Sequence, residues 1–305
     1  MFRDVATGSR AREPFCHPCC VTTTLEAPVS TATPSHGGAV RLDAVGRTFG
    51  TPGGSVDVLR GVDLELPAGE IVAVIGASGC GKSTLLRLVG GLDQPTHGAI
   101  TVDGDSLVDT DDRAAIAFQE PRLLPWRTLA QNVELGLPRL RGRRRHARAA
   151  GRDRVRELLE LVGLDHAADL RPREVSGGMA QRASLARALA RNPDVLLLDE
   201  PFAALDALTR LRMQDLLLDV HAAQPTTILL VTHDVEEALY LADRVVLLTS
   251  LRTTAPGTPS IAQIIPVSGT RPRDRADRAL ADLRATLLEG LGVHTHHHNT
   301  PEETR

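Results

Sequence analysis

A glycine-rich stretch that ends in lysine and serine is the segment of this sequence with the clearest chemical meaning. Residues 76–83 match the pattern G-x-x-x-x-G-K-[ST] at every fixed position. The glycines let successive backbone N–H groups converge on one anion, and a helix beginning there adds the positive end of its dipole. Lys82 can then reach the β- and γ-phosphates, and the Ser83 hydroxyl can ligate Mg²⁺. The stretch predicts a nucleoside triphosphate site formed by Gly76, Ala77, Ser78, Gly79, Cys80, Gly81, Lys82, Ser83 and Thr84.

Two adjacent carboxylates follow an apolar run later in the chain. Residues 195–198 are apolar, and Asp199 and Glu200 come directly after them. The carboxyl end of such a strand in a parallel sheet lies beside the phosphate loop. Asp199 therefore suits the Mg²⁺ shell, directly or through water, and Glu200 is placed to polarise a water for in-line attack on the γ-phosphate. Alone, the pair could merely begin a helix; paired with the phosphate loop, it indicates a hydrolytic site.

The apolar pattern predicts an α/β fold whose mainly parallel sheet positions these groups. Residues 71–75 form an apolar run that is typical of a strand buried on both faces, with a helix following over 82–89. Buried strands alternating with helices indicate a parallel sheet covered by helices. Further strands are predicted at 99–102, 115–118, 195–198, 227–231 and 245–248, and further helices at 178–190, 207–222 and 235–241.

Two departures from this pattern are expected. Residues 41–45 and 62–66 alternate apolar and polar side chains, which predicts an antiparallel β edge with a loop at 50–55 between the two strands. Residues 120–176 carry no strand pattern, and apolar residues at helical spacing predict a helix over 152–162, so this region is expected to be an all-helical insertion. The basic run within it, at 139–148, is interpreted as a solvated loop and helix face, with contact to anionic lipid or an acidic partner as the alternative.

Composition excludes some classes of protein. The chain has 305 residues, 42% of them apolar, and a formal net charge of −3. This argues for a globular protein and against a nucleic-acid binder that depends on bulk positive charge. The apolar runs are far shorter than the roughly 20 residues that cross a bilayer as a helix. We therefore expect neither a nucleic-acid partner nor a membrane span.

The two ends of the chain are expected to lie outside the folded domain. Residues 1–38 hold the cysteine-rich run at 16–20 in a composition typical of a disordered extension, with a soft-metal site as the alternative. Residues 293–305 form a polar, histidine-rich tail, interpreted as solvated. The domain itself is predicted to cover 39–292 and to end in a helix over 274–291, whereas 252–269 give no clear pattern.

A third motif resembles a known family. Residues 175–182, Val-Ser-Gly-Gly-Met-Ala-Gln-Arg, lie just ahead of the strand that ends in the acidic pair, and they resemble the signature sequence of ABC transporter ATP-binding subunits. A Ser-Gly-Gly helix start is itself rich in free N–H groups. The resemblance implies a P-loop NTPase fold and a head-to-tail homodimer. In such a dimer the signature of one copy closes over the γ-phosphate held by the other, through Ser176, Gly177, Gly178 and Met179.

Other positions match the family in sequence order. Gln119 resembles the glutamine that senses Mg²⁺ and the attacking water, and Asp206 resembles the D-loop aspartate that touches the opposite subunit. His233 resembles the switch histidine at the γ-phosphate, and Phe49 resembles the aromatic residue that stacks on adenine. The resemblance implies catalytic roles for Glu200, His233 and Gln119. It also implies a Mg²⁺ site formed by Ser83, Gln119 and Asp199.

Finer features resemble one group within the family. The signature departs from the common pattern at Val175 and Met179, and its Met-Ala-Gln-Arg, together with residues 118–126 and 202–209, is similar to importers of the nitrate, sulfonate and taurine group. The ending at 271–284 is most similar to aliphatic sulfonate import subunits. The resemblance implies that the chain hydrolyses ATP at the cytoplasmic side of the cell membrane, to which it attaches peripherally. It also implies two separate permease subunits and an extracytoplasmic solute-binding protein as partners. Taurine or nitrate import stays open, and an exporter or a soluble non-transport ABC ATPase is less favoured.

Overall fold

The structure is a computed structural model that describes residues 37–138, 144–251, 254–255 and 257–293. Its strands are β1 (Val40–Thr51), β2 (Gly54–Leu66), β3 (Ile71–Gly76), β4 (His97–Val102), β5 (Asp105–Ser106), β6 (Ala114–Ala117), β7 (Val195–Asp199), β8 (Thr227–Val231), β9 (Arg244–Leu248) and β10 (Ile261–Pro266). Its α-helices are α1 (Lys82–Val89), α2 (Leu129–Glu134), α3 (Arg144–Leu161), α4 (Gly177–Ala190), α5 (Ala207–Ala223), α6 (Val235–Leu241) and α7 (Arg278–Gly290).

The larger sheet is the centre of the fold. Its strand order is β10-β9-β3-β8-β7-β6, and every pair is parallel except the antiparallel pair of β10 and β9. Alternate residues of β3 enter two different hydrophobic clusters: Ile71, Ala73 and Ile75 on one face, Val72 and Val74 on the other. Because both faces are covered, the strand reads as a continuous apolar run. The predicted parallel α/β core is confirmed.

The smaller sheet supplies the antiparallel edge. Its order is β2-β1-β4-β5, and β1 pairs antiparallel with both β2 and β4. The predicted loop at 50–55 is wrong, because Gly50 pairs with Ser55 and Thr51 pairs with Gly54, which leaves a two-residue turn. The stretch is nevertheless rich in glycine and polar residues because the tip of this hairpin is exposed.

The segment between the sheet and the signature region is helical where it is described. It contains α2, α3 and two short 3₁₀ turns at Asp165–Ala167 and Pro172–Glu174, and its described residues contain no strand. The helix α3 begins eight residues before the predicted start at 152. The basic run at 139–148 starts outside the described residues, so its predicted exposure stays a prediction.

One strand in the last part of the described chain was not predicted from the sequence. The strand β10 falls in the stretch that gave no clear prediction, and α7 lies inside the predicted terminal helix. The cysteine-rich run at 16–20 and the histidine-rich tail both lie outside the described residues, so the predictions made for them stay predictions. No helix in the described part of the chain is long and apolar enough to cross a membrane.

Candidate nucleotide site

The phosphate loop lies between the end of β3 and the start of α1. Gly79 and Gly81 have φ values of 77° and 105°, in the left-handed region that favours glycine. At Gly81 a Cβ atom would also lie 2.7 Å from Cδ2 of Leu59, so both conformation and space require glycine. The Lys82 ammonium donates to the carbonyl oxygens of Gly76 at 2.8 Å and Ala77 at 3.2 Å. Its side chain thus folds back across the predicted phosphate cradle.

A hydroxyl and a carboxylate meet where α1 faces the end of β7. Ser83 Oγ donates to Asp199 Oδ1 at 3.2 Å, and Asp199 is 8% exposed. Burial raises the pKa of the Asp199 carboxyl, while the hydrogen bond from Ser83 acts in the opposite direction. Oxygen donors of this kind are the ligands that Mg²⁺ prefers, and a dication would offset the cost of burying the carboxylate. The donor set therefore fits Mg²⁺.

Glu200 is the centre of a second cluster. Its backbone N–H donates to Val231 O at 2.8 Å, and its φ of 46° turns the chain sharply as β7 ends. Its Oε2 accepts a hydrogen bond from Gln119 Nε2 at 2.9 Å and lies 3.3 Å from His233 Nδ1. These three residues follow β6, β7 and β8, which are adjacent parallel strands. The structure thus brings together the three predicted catalytic residues, and the Gln119 side chain is hydrogen-bonded to the Glu200 carboxylate.

The signature residues form the start of the helix α4. Ser176 caps α4, and its Oγ accepts a hydrogen bond from the Met179 N–H at 3.2 Å. Asp206 caps α5 in the same way through the Thr209 N–H at 3.0 Å, and the hydrogen bonds from Thr209 lower the pKa of its carboxyl. Among the described residues, no hydrogen bond or ion pair joins either cap to Glu200. Both caps are exposed, as an interface with a second copy would need.

The predicted adenine residue lies on the small sheet. Phe49 pairs with Val56 across the β1–β2 hairpin and is 36% exposed. The guanidinium of Arg47 lies 4.4 Å from the centre of its ring, so one face of the ring already holds a cation. The phosphate loop is near this sheet because Gly81 packs against Leu59 of β2.

Gln181 is a residue to which the sequence assigned no role. It is 2% exposed, and its Nε2 donates to the carbonyl oxygen of Phe118 at 3.1 Å. It therefore connects α4, which begins at the signature, with the residue preceding Gln119. The partners are 63 positions apart, so local spacing gives no signal of the contact.

This geometry is that of an ATP-binding cassette. Residues 59–203 match the family model described as ABC transporter. The aliphatic sulfonates import ATP-binding protein SsuB 2 of Paracoccus denitrificans is 48% identical over 255 residues, which cover 84% of this chain and 92% of that protein. The aliphatic sulfonates import ATP-binding protein SsuB of Granulibacter bethesdensis is 50% identical over 240 residues, which cover 79% of this chain and 90% of that protein. The chain belongs to the ABC transporter family and is similar to its ATP-binding subunits.

Solved structures agree with this assignment. A dimeric post-hydrolysis state of the ATP-binding cassette MJ0796 bound to ADP and Pi has a TM-score of 0.67 at 31% identity, and the match covers 76% of this chain and 100% of that one. A dimeric structure of MJ0796, described as a bacterial ABC transporter cassette, has a TM-score of 0.68 at 30% identity over the same shares. The predicted fold and family are confirmed.

Proposed function

We propose that this chain is the ATP-hydrolysing subunit of an importer of aliphatic sulfonates. The observation that carries the hydrolytic part is the convergence of Gln119 and His233 on the Glu200 carboxylate at the ends of three adjacent strands. The sulfonate cargo is supported by the two relatives named above, since the ATPase itself does not touch the solute.

In this proposal the phosphate loop holds the nucleotide. Lys82 exchanges its contacts with the Gly76 and Ala77 carbonyls for the β- and γ-phosphate oxygens, and the backbone N–H groups at the start of α1 bind the same anion. Ser83 and Asp199, with Gln119 as the third proposed ligand, would hold Mg²⁺, which neutralises phosphate charge. Adenine would stack on the face of the Phe49 ring opposite Arg47.

Hydrolysis is assigned to the Glu200 cluster. Glu200 orients a water and accepts its proton as the water oxygen bonds to the γ-phosphorus, and the bond to the ADP oxygen breaks. Gln119 and His233 both contact the same carboxylate oxygen, Oε2. His233, 65% exposed in its side chain, is free to turn toward the γ-phosphate.

Two copies are needed for a complete centre. Ser176 and Gly177 are exposed, and the start of α4 presents N–H groups to the γ-phosphate held by the other copy. Asp206, exposed at the start of α5, lies at the same face of the dimer in this proposal. ATP binding closes the dimer, and hydrolysis with phosphate release reopens it.

The movement passes to two separate permease subunits at the cytoplasmic side of the cell membrane. Trp126 is 69% exposed, close in sequence to Gln119. A groove of about 390 Å³ is lined by Leu92, Leu135 and Phe118, the residue before Gln119, among others. A permease segment bound in this groove would receive the motion of Gln119. The same contact would attach the chain to the cytoplasmic side of the membrane. An extracytoplasmic solute-binding protein completes the importer.

The test separates hydrolysis from cargo. The purified chain should release phosphate from ATP with Mg²⁺, and the Glu200→Gln variant should not. A strain that lacks the gene should fail to grow on an alkanesulfonate as sole sulfur source, and the wild-type gene should restore growth while the Glu200→Gln gene does not. Growth lost instead on taurine or nitrate would reassign the cargo, and a wild-type chain without ATPase activity would refute the function.

A further inference from the structure

We propose that Arg210 is a positioning residue for hydrolysis, which ties the D-loop (residues 204–206) to the switch loop (residues 232–234). The inference rests on the proposed function, because it concerns how His233 is held beside Glu200. Arg210 lies in the first turn of α5, and nothing in the motif pattern distinguishes it from the other arginines of the chain.

One guanidinium contacts both loops. Arg210 Nη2 donates to the carbonyl oxygen of Leu205 at 3.3 Å, and Nη1 lies 3.6 Å from Asp234 Oδ2. The planar fork of arginine allows two such contacts at once, which the single ammonium of a lysine does not reproduce. Arg210 therefore fixes the distance between the end of the D-loop and the start of α6.

The Asp234 contact is close to the chemistry. Asp234 Oδ1 caps α6 by accepting from the Glu236 and Glu237 N–H groups at 2.9 and 3.2 Å, which leaves Oδ2 to face Arg210. The residue before Asp234 is His233, whose Nδ1 lies 3.3 Å from Glu200 Oε2. Because the His233 side chain is largely exposed, its position depends on the backbone of the loop that carries it.

The Leu205 contact leads to the signature. Leu205 is buried, and a Cβ atom on Gly178 would lie 3.0 Å from its Cδ2. The D-loop thus packs against the first turn of α4. A continuous series of contacts runs from the signature through Leu205 and Arg210 to Asp234 and His233, so a partner subunit that presses on the signature or D-loop changes the placement of the switch histidine.

The contribution of Arg210 to global stability should be small. The side chains of the Arg210–Asp234 pair are 35% and 33% exposed, and ion pairs of this kind add little to stability. The helices α5 and α6 are also joined beneath it by Gln214 Nε2, which donates to buried Glu237 Oε2 at 3.4 Å. Removing the guanidinium therefore frees the two loops while the helices stay packed.

The first experiment is the Arg210→Met variant of the full chain. We expect kcat for ATP hydrolysis to fall about tenfold, which corresponds to about 1.4 kcal/mol of transition-state stabilisation. KM for ATP and the thermal unfolding midpoint should change little, because the phosphate loop and the helix packing are intact. Arg210→Lys should give an intermediate kcat. The matched control is Arg212→Met, an exposed arginine on the same helix, which should keep wild-type kcat.

A double-mutant cycle with Asp234→Asn tests the connection itself. If Arg210 acts through Asp234, adding Arg210→Met to Asp234→Asn should cost clearly less than Arg210→Met alone. Fully additive losses would overturn the proposal, as would a wild-type kcat in Arg210→Met.

In the Glu200→Gln background, Arg210→Met should leave the ATP-induced dimer intact, and loss of that dimer would instead make Arg210 a contact to the partner. An inactive wild-type chain would overturn the proposed function and this inference together, whereas the other failures overturn the inference alone.

Discussion

Lys82 is the only lysine in a chain that otherwise uses arginine for its basic side chains. Its ammonium makes two hydrogen bonds to loop carbonyls 2.8 and 3.2 Å away, and a compact point charge fits that cradle where a planar guanidinium does not. We expect Lys82→Ala to lower ATP turnover by about a hundredfold or more and to weaken ATP binding. Phosphate release and equilibrium nucleotide binding measure the two effects.

The control for Lys82 is the conservative variant. Lys82→Arg keeps the charge but not the geometry, so it should remain nearly as inactive as Lys82→Ala while both unfold at the wild-type temperature. Wild-type turnover in Lys82→Ala would refute the assignment of the phosphate loop.

Glu237 is a carboxyl group buried beneath the switch loop. Burial raises its pKa from 4.5 to about 7; hydrogen bonds with Thr232 and Gln214 and the charge of Arg210 act in the opposite direction, whereas the charge of Asp234 adds to the rise. Below pH 4.5 the folded and unfolded chains both hold the proton. As pH rises toward 7 the unfolded chain releases it while the folded chain retains it, so the contribution of Glu237 to stability is lost through this interval.

The Glu237→Gln variant removes this ionisation. Between about pH 4.5 and pH 8, the free energy of unfolding of the variant should rise relative to wild type by on the order of 3 kcal/mol. Denaturant unfolding across this interval measures the difference. The exposed neighbour provides the control, since Glu236→Gln makes the same substitution in the same helix turn without removing a buried carboxyl. A pH-independent difference for Glu237→Gln would show that this carboxyl is not held protonated.

Site residues differ in how far sequence alone predicts them. The phosphate loop was predictable because its chemistry is contiguous, with eight neighbouring residues between a buried strand and a helix. The grouping of Gln119 and His233 around Glu200 follows once the strands before them are recognised as parallel neighbours. Arg210 and Gln181 were not predictable in the same way, because Asp234 and the carbonyl oxygen of Phe118 are brought close to them only by the folded chain.

The strands show the same contrast. β3, β7 and β8 are buried on both faces, so their apolar runs predict them directly. β10 lies at the edge of the larger sheet, and of its residues only Ile265 is buried. Its side chains therefore carry no periodic apolar pattern, and pairing with β9 defines it instead.

The helices α2 and α4 approach each other closely just after α2 ends. A Cβ atom on Gly136 would overlap the carbonyl oxygen of Arg187 and lie 3.0 Å from the Ala190 Cβ. We expect Gly136→Ala to force the helices apart and to lower the free energy of unfolding by about 1–3 kcal/mol. Thermal or denaturant unfolding measures the loss.

The control for Gly136→Ala is a glycine in the turn between β1 and β2, where a Cβ atom would make no contact. Gly53 has nothing within 4 Å of a Cβ atom, so Gly53→Ala should change stability by less than about 0.5 kcal/mol. Equal stability of the Gly136→Ala and Gly53→Ala variants would contradict the close packing of α2 on α4.

The described part of the chain carries two helix starts suited to phosphate, at α1 and at α4. Only the first lies beside the Ser83–Asp199 pair, whereas the second is exposed and connects through Leu205 to the D-loop. In the proposed function this division makes a single copy a poor ATPase. The phosphate loop of one copy would hold ATP, and the signature of the other copy would close over it.

A variant that binds ATP without hydrolysing it should therefore hold two copies together. Glu200→Gln keeps the size of the side chain but cannot accept a proton from water, so ATP stays in the site. We expect light scattering to show a dimer on addition of ATP, and a monomer with ADP. Adding Gly177→Arg should prevent this dimer from forming. A Cβ at Gly177 meets nothing within 4 Å in its own chain, whereas the exposed position faces the proposed partner. The double variant should fold normally and remain monomeric with ATP. If Glu200→Gln itself stays monomeric with bound ATP, the shared hydrolytic centre is wrong.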